Sequence, residues 1–305
     1  MRFLVTGGAG FIGSHIVEAL LRRSHQVRIL DNFSTGKREN LPADQVNVEV
    51  LTGDVRESET VARAVAGMDG VFHEAALVSV PLSVKNPQDS FEINAKGTIN
   101  VLDAARKAGV RRVVYASSAA VYGDQSQLPL TETAPLRPLS PYGLDKMYGE
   151  QAGNLYSTLY AQEAVALRYF NVYGPRQDPK SPYSGVISIF VDAIRSGRPP
   201  TIYGDGEQTR DFVYVADVVE ANLKAMFARY EGFKVFNVAC GRQTSLNQLF
   251  TELQRLAGTA LQPIYGPARA GDVRHSLADI SLIQRELEYA PAFSLAEGLA
   301  ELWGS

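Results

Sequence analysis

The opening of this chain leaves little freedom in how its fold begins. Arg2-Phe3-Leu4-Val5-Thr6 reads as a short buried strand and runs directly into Gly7-Gly8-Ala9-Gly10-Phe11-Ile12-Gly13, after which an apolar helical pattern continues to about Arg23. A strand that passes through glycines into a helix can turn tightly and approach a bound group with no Cβ in the way. The start of the helix then offers free N–H groups and the positive end of its dipole, which together make a seat for phosphate. Gly7, Gly10 and Gly13 bracket that seat. A second strand over residues 26–30 delivers Asp31 at its tip, about where a carboxylate meets the adenosine ribose diol in dinucleotide-binding folds. A carboxylate there repels a 2′-phosphate and favours NAD over NADP, while Lys37 and Arg38, close by in sequence, keep NADP open.

Strands and helices then alternate. Residues 46–51, 70–73, 112–117 and 164–169 read as strands, and residues 61–66, 89–108 and a segment from Tyr142 to about 160 as helices. Such alternation implies a parallel sheet with helices on both faces. Beyond Gly174 the pattern breaks down, and proline and glycine concentrate up to Gly206, as expected of a looser lobe over the strand ends where α/β sheets bind ligands. Residues 234–239 read as one more apolar strand returning to the main sheet. The expected fold class is α/β, a Rossmann-type doubly wound parallel sheet with a smaller C-terminal substrate-binding lobe. Its dinucleotide domain would span residues 1–173 with about 210–240 returning to it, and the lobe 174–209 and 241–305.

At 305 residues, with 45% hydrophobic and 21% charged content, the chain can bury a large core. A net charge of −3 with no basic block gives nucleic acid or a membrane surface no electrostatic reason to bind. Met1 leads straight into a core strand, so no signal peptide is expected, and no apolar run approaches a membrane span of about 20 residues. The single Cys240 cannot form an internal disulfide, which together with the missing leader points to the cytoplasm. His15, His25, His73 and His275 are scattered with no carboxylate or cysteine at ligand spacing, so no metal site is expected.

Tyr142 and Lys146 stand at i and i+4 in Ser140-Pro141-Tyr142-Gly143-Leu144-Asp145-Lys146, and Ser118 lies upstream in ASSAAVYG. Residues four apart share a helix face, so the Lys146 ammonium can lie beneath the Tyr142 phenol, favour its phenolate and make it a base near neutral pH. In isolation such a spacing is more often a solvated helix face.

The motifs taken together resemble those of the extended short-chain dehydrogenase/reductases, and within them the UDP-sugar 4-epimerases, most closely those acting on UDP-N-acetylglucosamine and UDP-N-acetylgalactosamine. The resemblance runs nearly the whole length, through TGGAGFIGSH, Asp31-Asn32, Gly53-Asp54-Val55, HEAAL, Asn94-Ala95-Lys96-Gly97-Thr98, ASSAAVYG, SPYGLDK, LRYFNVYGPRQDP, GDGEQTRDFVYV and AGDVRHSLADI. It implies tightly held NAD, with Gly7, Gly10, Phe11, Ile12 and Gly13 at the pyrophosphate and Asp31 and Asn32 at the adenosine ribose. Asp54 and Val55 would border the adenine, Ala75, Ala76 and Asn94 would complete the cofactor site, Lys146 would bind the nicotinamide ribose, and Tyr169 would lie by the nicotinamide. Ser118, Tyr142 and Lys146 would be catalytic. Asn171, Arg210, Arg269 and Asp272 match positions that hold UDP, Ser79 a sugar-side position, and the family pairs two long helices across a homodimer.

Two positions separate relatives. The family's 4,6-dehydratases carry an acidic pair after the serine or threonine before VYG, and its UDP-glucuronate decarboxylases a glutamate just before VYG. This chain has Ala119 and Ala120, which can do neither job. At Ser276, epimerases restricted to UDP-glucose and UDP-galactose place a bulky tyrosine, so a serine leaves room for an acetamido group. The expected function is NAD-dependent epimerisation at C4 of UDP-N-acetylglucosamine and UDP-N-acetylgalactosamine, and of UDP-glucose and UDP-galactose, through a 4-keto intermediate. The alternatives are a UDP-glucose 4-epimerase with little N-acetyl activity, a UDP-glucuronate 4-epimerase, or a non-catalytic NAD-binding regulator, against which the intact Ser118, Tyr142 and Lys146 argue.

Overall fold

Phe3, Leu4, Val5 and Thr6 have no exposed surface, as a strand covered by helices on both faces requires. They belong to β1 (Arg2–Thr6) in a computed structural model that describes residues 1–42, 46–178, 185–268 and 273–304. The chain continues through β2 (Gln26–Asp31), β3 (Val48–Thr52), β4 (Gly70–His73), β5 (Arg112–Ser118) and β6 (Glu163–Tyr169). Short strands β7 (Asn171–Tyr173), β8 (Thr201–Tyr203), β9 (Thr209–Arg210) and β10 (Phe212–Tyr214) precede β11 (Phe233–Val238), and β12 (Thr244–Ser245) and β13 (Ile264–Gly266) follow. Strands β1 to β6 and β11 form a seven-stranded sheet in the order β11-β6-β5-β4-β1-β2-β3, with every neighbouring pair parallel. The chain winds outward from β1 through β2 to β3 and then crosses back to β4 on the other side of β1, so the strand order reverses at β1 and opens a crevice beyond the strand ends there.

Helices α1 (Phe11–Arg22), α2 (Ser58–Val65), α3 (Val80–Lys85), α4 (Pro87–Phe91), α5 (Gly97–Lys107) and α6 (Pro141–Tyr160) accompany the first six strands. Later come α7 (Val186–Arg195), α8 (Val215–Phe227), α9 (Leu246–Ala257), α10 (Ser281–Leu287) and α11 (Leu295–Gly304). One face of the sheet packs Ile16, Leu20, Val218 and Leu223 from α1 and α8, and the other packs Val61, Val65, Val101 and Ala152 from α2, α5 and α6. A separate core of Ile187, Phe190, Phe212, Leu249, Phe250 and Leu299 joins α7, α9 and α11 to β10.

The expected elements are present with shifted ends. The strand expected from residue 46 starts at Val48, because Val46 is in an exposed turn. The single helix expected over 89–108 is α4 and α5 joined by a π-helical turn, Glu92–Lys96, which carries Asn94. Helix α3, which the apolar pattern alone did not reveal, begins with Ser79 accepting the Leu82 N–H at 3.0 Å and Pro81 in its first turn. The strand expected over 234–239 is β11, at the edge of the main sheet beside β6.

A buried ion pair fixes α6 on the sheet. Arg168 of β6 donates to both Glu150 oxygens at 2.8 and 2.6 Å, and the Ser117 hydroxyl of β5 donates to Glu150 at 2.6 Å. Arg168 also donates to the Tyr122 hydroxyl at 2.8 Å, which in turn donates to Asn237 of β11 at 2.6 Å. Removing one partner of such a pair strands a buried charge and commonly costs about 3–5 kcal/mol. Glu150→Ala is therefore expected to lower the urea-unfolding free energy by about that much. A loss below about 1 kcal/mol, the range of an exposed pair, would show that Arg168 is not committed to this partner.

Candidate active site

The glycine turn is tight because three pieces of backbone meet in it. Gly7 has φ +68° and donates its N–H to the Leu30 carbonyl at 2.8 Å. A Cβ on Gly7 would lie 2.7 Å from the Ala75 nitrogen, and one on Gly13 would lie 2.2 Å from the Gly7 oxygen. Gly10 caps α1 with no side chain, so the first N–H groups of the helix, at Phe11 and Ile12, have no side-chain cap to receive them. This cradle fits the pyrophosphate of a dinucleotide.

Asp31 is buried at the tip of β2, and its two oxygens accept the N–H groups of Ala9 at 2.9 Å and Phe33 at 2.8 Å. The carboxylate thus holds the glycine loop and keeps lone pairs for a ribose diol. Asn32 donates to Asp54 at 2.8 Å, and Arg56 pairs with Asp54 at 2.8 Å, which holds that carboxyl down at about 2. The Val55 carbonyl accepts from Asn100 at 2.8 Å beside them. Lys37 pairs with Glu39 at 3.7 Å and Arg38 stacks on Phe33 at 4.3 Å, so both nearby cations are engaged locally. Across the crevice, Ala75 and Ala76 leave β4 against the glycine loop. Asn94 pins that segment by accepting the Leu77 N–H at 2.9 Å and donating to its carbonyl at 3.1 Å.

Helix α6 brings Tyr142 and Lys146 to the end of β5. Ser140 caps it by accepting the Gly143 N–H at 3.1 Å, Pro141 opens it, and the Tyr142 N–H donates to Ser83 of α3 at 3.1 Å. The helix start lies close on the turn after β5: a Cβ on Gly143 would come within 2.6 Å of the Ala120 carbonyl oxygen. The Ser118 hydroxyl accepts the Ala120 N–H at 3.1 Å and lies near enough to the Tyr142 hydroxyl to lower its pKa. Lys146 is buried, donates to the Ala116 carbonyl at 2.8 Å, and holds its ammonium 5.8 Å from the centre of the Tyr142 ring.

The charge balance differs from the expected one. Burial pushes the Tyr142 hydroxyl above its ordinary value, the Ser118 hydroxyl pulls it back in part, and the Glu74 carboxylate raises it further. Burial likewise brings Lys146 down to about 8, against the pull of Glu74 and Asp145. These groups by themselves therefore do not give a phenolate at neutral pH, because desolvation and the Glu74 charge outweigh the Ser118 hydroxyl. Tyr169, expected beside the nicotinamide, is buried at the end of β6, donates to Glu74 at 2.9 Å and accepts from Asn222 at 2.7 Å. Glu74 was not singled out from the sequence. Its one signal there is a carboxylate directly following the buried strand that ends at His73.

On the lobe side, Asn171 and Arg210 line one cavity of about 500 Å³ with Phe190, Tyr203 and Gln208. Arg210 donates to the Thr209 carbonyl at 2.8 Å. Ser276 is next to it: its N–H donates to the Thr209 carbonyl at 3.2 Å. The Ser79 hydroxyl is used as the cap of α3. Arg269 and Asp272 lie outside the described residues. Among the described residues no group of three His, Cys, Asp or Glu could hold a metal ion, and no helix is long and apolar enough to cross a membrane.

Residues 3–239 match the model of the NAD dependent epimerase/dehydratase family. The UDP-glucose 4-epimerase of Mycolicibacterium smegmatis is 40% identical over 305 residues, covering 99% of this chain and 97% of that protein. A UDP-glucose 4-epimerase from Thermotoga maritima, solved with UDP-glucose, superposes with a TM-score of 0.95 at 39% identity, covering 100% of this chain and 98% of the other. A UDP-N-acetylglucosamine 4-epimerase from Methanobrevibacter ruminantium M1, solved with UDP-N-acetylmuramic acid, gives a TM-score of 0.95 at 39% identity, covering 99% and 97%.

The glycine cradle makes a direct prediction. A Cβ at Gly13 would sit 2.2 Å from the Gly7 oxygen, so Gly13→Ala must displace the loop expected to face the pyrophosphate. The wild-type protein is expected to purify loaded with NAD and Gly13→Ala nearly empty, measured as dinucleotide released on denaturation. A fully loaded Gly13→Ala protein would mean that the cofactor does not depend on this cradle.

Proposed function

We propose that the chain, which belongs to the NAD dependent epimerase/dehydratase family, interconverts the C4 epimers of UDP-sugars: UDP-N-acetylglucosamine with UDP-N-acetylgalactosamine, and UDP-glucose with UDP-galactose. The observation that carries this reading is the convergence of Ser118, Tyr142 and Lys146 at the end of β5 next to Ala119 and Ala120. When bound, NAD supplies a hydride acceptor that later returns the hydride to the opposite face of the sugar.

The residues of the chain handle the proton and the geometry. Tyr142 accepts the proton of the 4-hydroxyl as the C4–H bond breaks, leaving a C4 ketone, and gives it back when C4 is reduced. Ser118 lies beside the Tyr142 hydroxyl and is suited to hold O4 in line with it. Lys146 holds its ammonium 5.8 Å from the ring centre, where its positive charge would favour the phenolate. With alanine at 119 and 120, those two positions offer no acid or base for eliminating water or losing carbon dioxide. Arg210 and Asn171, with Arg269 and Asp272, would hold the UDP while the ketose turns over, since a guanidinium fork matches phosphate oxygens.

On this reading residues 1–173 and about 210–240 carry the cofactor, and 174–209 and 241–305 carry the UDP-sugar. Leu144, Tyr148, Leu155 and Leu159 leave an exposed apolar stripe along α6, which supports a homodimer paired through that helix. The lone Cys240 leaves the fold independent of disulfides, which suits a cytoplasmic setting. The second reading, a UDP-glucose 4-epimerase with little N-acetyl activity, is favoured by the names of the relatives.

Two variants test the proposal. Tyr142→Phe keeps the ring and loses the proton acceptor, so kcat should fall by about 10²–10⁴-fold while NAD stays bound; near-normal turnover would end the mechanism. Ser276→Tyr separates the substrate readings. A tyrosine beside Thr209 should crowd an acetamido group but not a hydroxyl, lowering kcat/KM for the N-acetyl sugars by about a hundredfold and sparing UDP-glucose. An unchanged ratio of the two constants would remove Ser276 as the filter, and a wild type inactive on N-acetyl sugars would establish the second reading.

A further inference from the structure

Glu74 is the one carboxylate that both Tyr142 and Lys146 feel, and the mechanism above does not use it. Its backbone is fixed at the mouth of the crevice: its N–H donates to the Thr6 carbonyl at 3.1 Å, and its carbonyl carbon lies 3.0 Å from where a Gly7 Cβ would be. Its side chain is held from the far side by a chain of hydrogen bonds. Asn222 of α8 donates to the Tyr169 hydroxyl at 2.7 Å, and that hydroxyl donates to Glu74 at 2.9 Å.

We propose that Glu74 is a positioning residue which, clamped by Tyr169, sets the charge balance of the Tyr142–Lys146 pair and hence the pH range in which Tyr142 can act as a base. This deepens the reading of Tyr142 as the base and rests on it. Burial pushes the Glu74 carboxyl up to about 7, with the Tyr169 hydrogen bond and the Lys146 charge acting the other way, so it changes charge across the neutral range. The titratable groups it acts on are Tyr169 of β6, which it accepts from and which lies in register beside Ser118 of β5, and Tyr142 and Lys146 of α6, whose charges it influences. Its neighbour on β4, His73, is driven down to about 3 by burial and stays neutral. Asp145 of α6 acts on Lys146 and is bonded by the Ser90 hydroxyl. From β1 only the uncharged Thr6 approaches.

The sign follows from Coulomb's law. An anionic Glu74 disfavours a second anion at Tyr142 and so raises its pKa; it favours the cation at Lys146 and so raises that pKa as well. Replacing it with an uncharged isostere lowers both. In Glu74→Gln, the two limbs of the activity profile, set by Tyr142 and Lys146, should both move to lower pH by about one unit.

The test uses the NAD-loaded enzyme. The pH profile of kcat/KM on UDP-glucose is measured for wild type and Glu74→Gln. In parallel, Tyr142 ionisation is followed by tyrosinate difference absorbance, with the matching Tyr142→Phe protein subtracted from each. The absorbance needs no turnover, so it reads Glu74 even if UDP-sugars prove not to be substrates, whereas loss of the proposed function would show only in the kinetics. An acid shift of both limbs and of the tyrosinate titration is expected. Limbs that stay in place, with activity lowered evenly at every pH, would reduce Glu74 to a packing residue and overturn the proposal. If Glu74→Gln does not hold NAD, Glu74→Met serves instead: it also removes the charge at similar volume and should shift the tyrosinate titration to lower pH. No shift there would also overturn it.

Discussion

The backbone at Gly7 passes between the start of α1 and the segment leaving β4 with no room for a side chain toward either. A Cβ at Gly7 would meet Ala75, and one at Gly13 would meet the Gly7 oxygen. That double contact lets the first turn of α1 and the end of β4 face the same crevice at the point where the strand order reverses. The cofactor loop and Glu74 are then parts of one packed unit. Asp31 extends it by receiving the Ala9 N–H, so the residue expected to read the ribose also sets the loop expected to receive the phosphates.

The second half of the site depends on polar groups under α6. Glu150 stands one turn beyond Lys146, and its bidentate pair with Arg168, shared with Ser117, ties the helix to both β5 and β6. Ser117 precedes Ser118, so the network that orients the helix begins one residue from the hydroxyl that meets Tyr142. The close approach at Gly143 and the Ser83 hydrogen bond to the Tyr142 N–H fix the same helix from its other end. A buried ion pair is a weak source of net stability, but breaking one is costly, which makes it effective at holding a single register.

Much of this was legible in the sequence, for identifiable reasons. The strand, glycine turn and helix at the start were readable because only glycine tolerates those contacts, and the parallel sheet because apolar runs of strand length alternate with helical periodicity. The i, i+4 spacing of Tyr142 and Lys146 brought both to one helix face, and the structure has both at the end of β5. What stayed hidden was set by tertiary contact. Helix α3 is too short to show a periodicity, and the π-turn at Asn94 is invisible to a pattern of period 3.6. Glu74 looks like an ordinary charged residue after a strand until the fold brings Tyr169, from a strand two places away in the sheet, against it.

Burial explains why the tyrosine and lysine are insufficient by spacing alone. The crevice must exclude water if a hydride is to be taken and returned without loss, and the same exclusion raises the cost of every charge within it. Tyr142 is driven up and Lys146 down, each toward its neutral form. A pair left at that point would exchange no proton with O4 at neutral pH. The remaining charges within reach therefore decide whether the base is usable. Glu74 holds Lys146 cationic at some expense to the phenolate, and so trades the fraction of phenolate for a wider range over which its partner stays charged. A neutral side chain at 74 would relieve the phenolate but let Lys146 discharge sooner, which makes the identity of this residue a control on the operating pH that is separate from the reacting groups themselves.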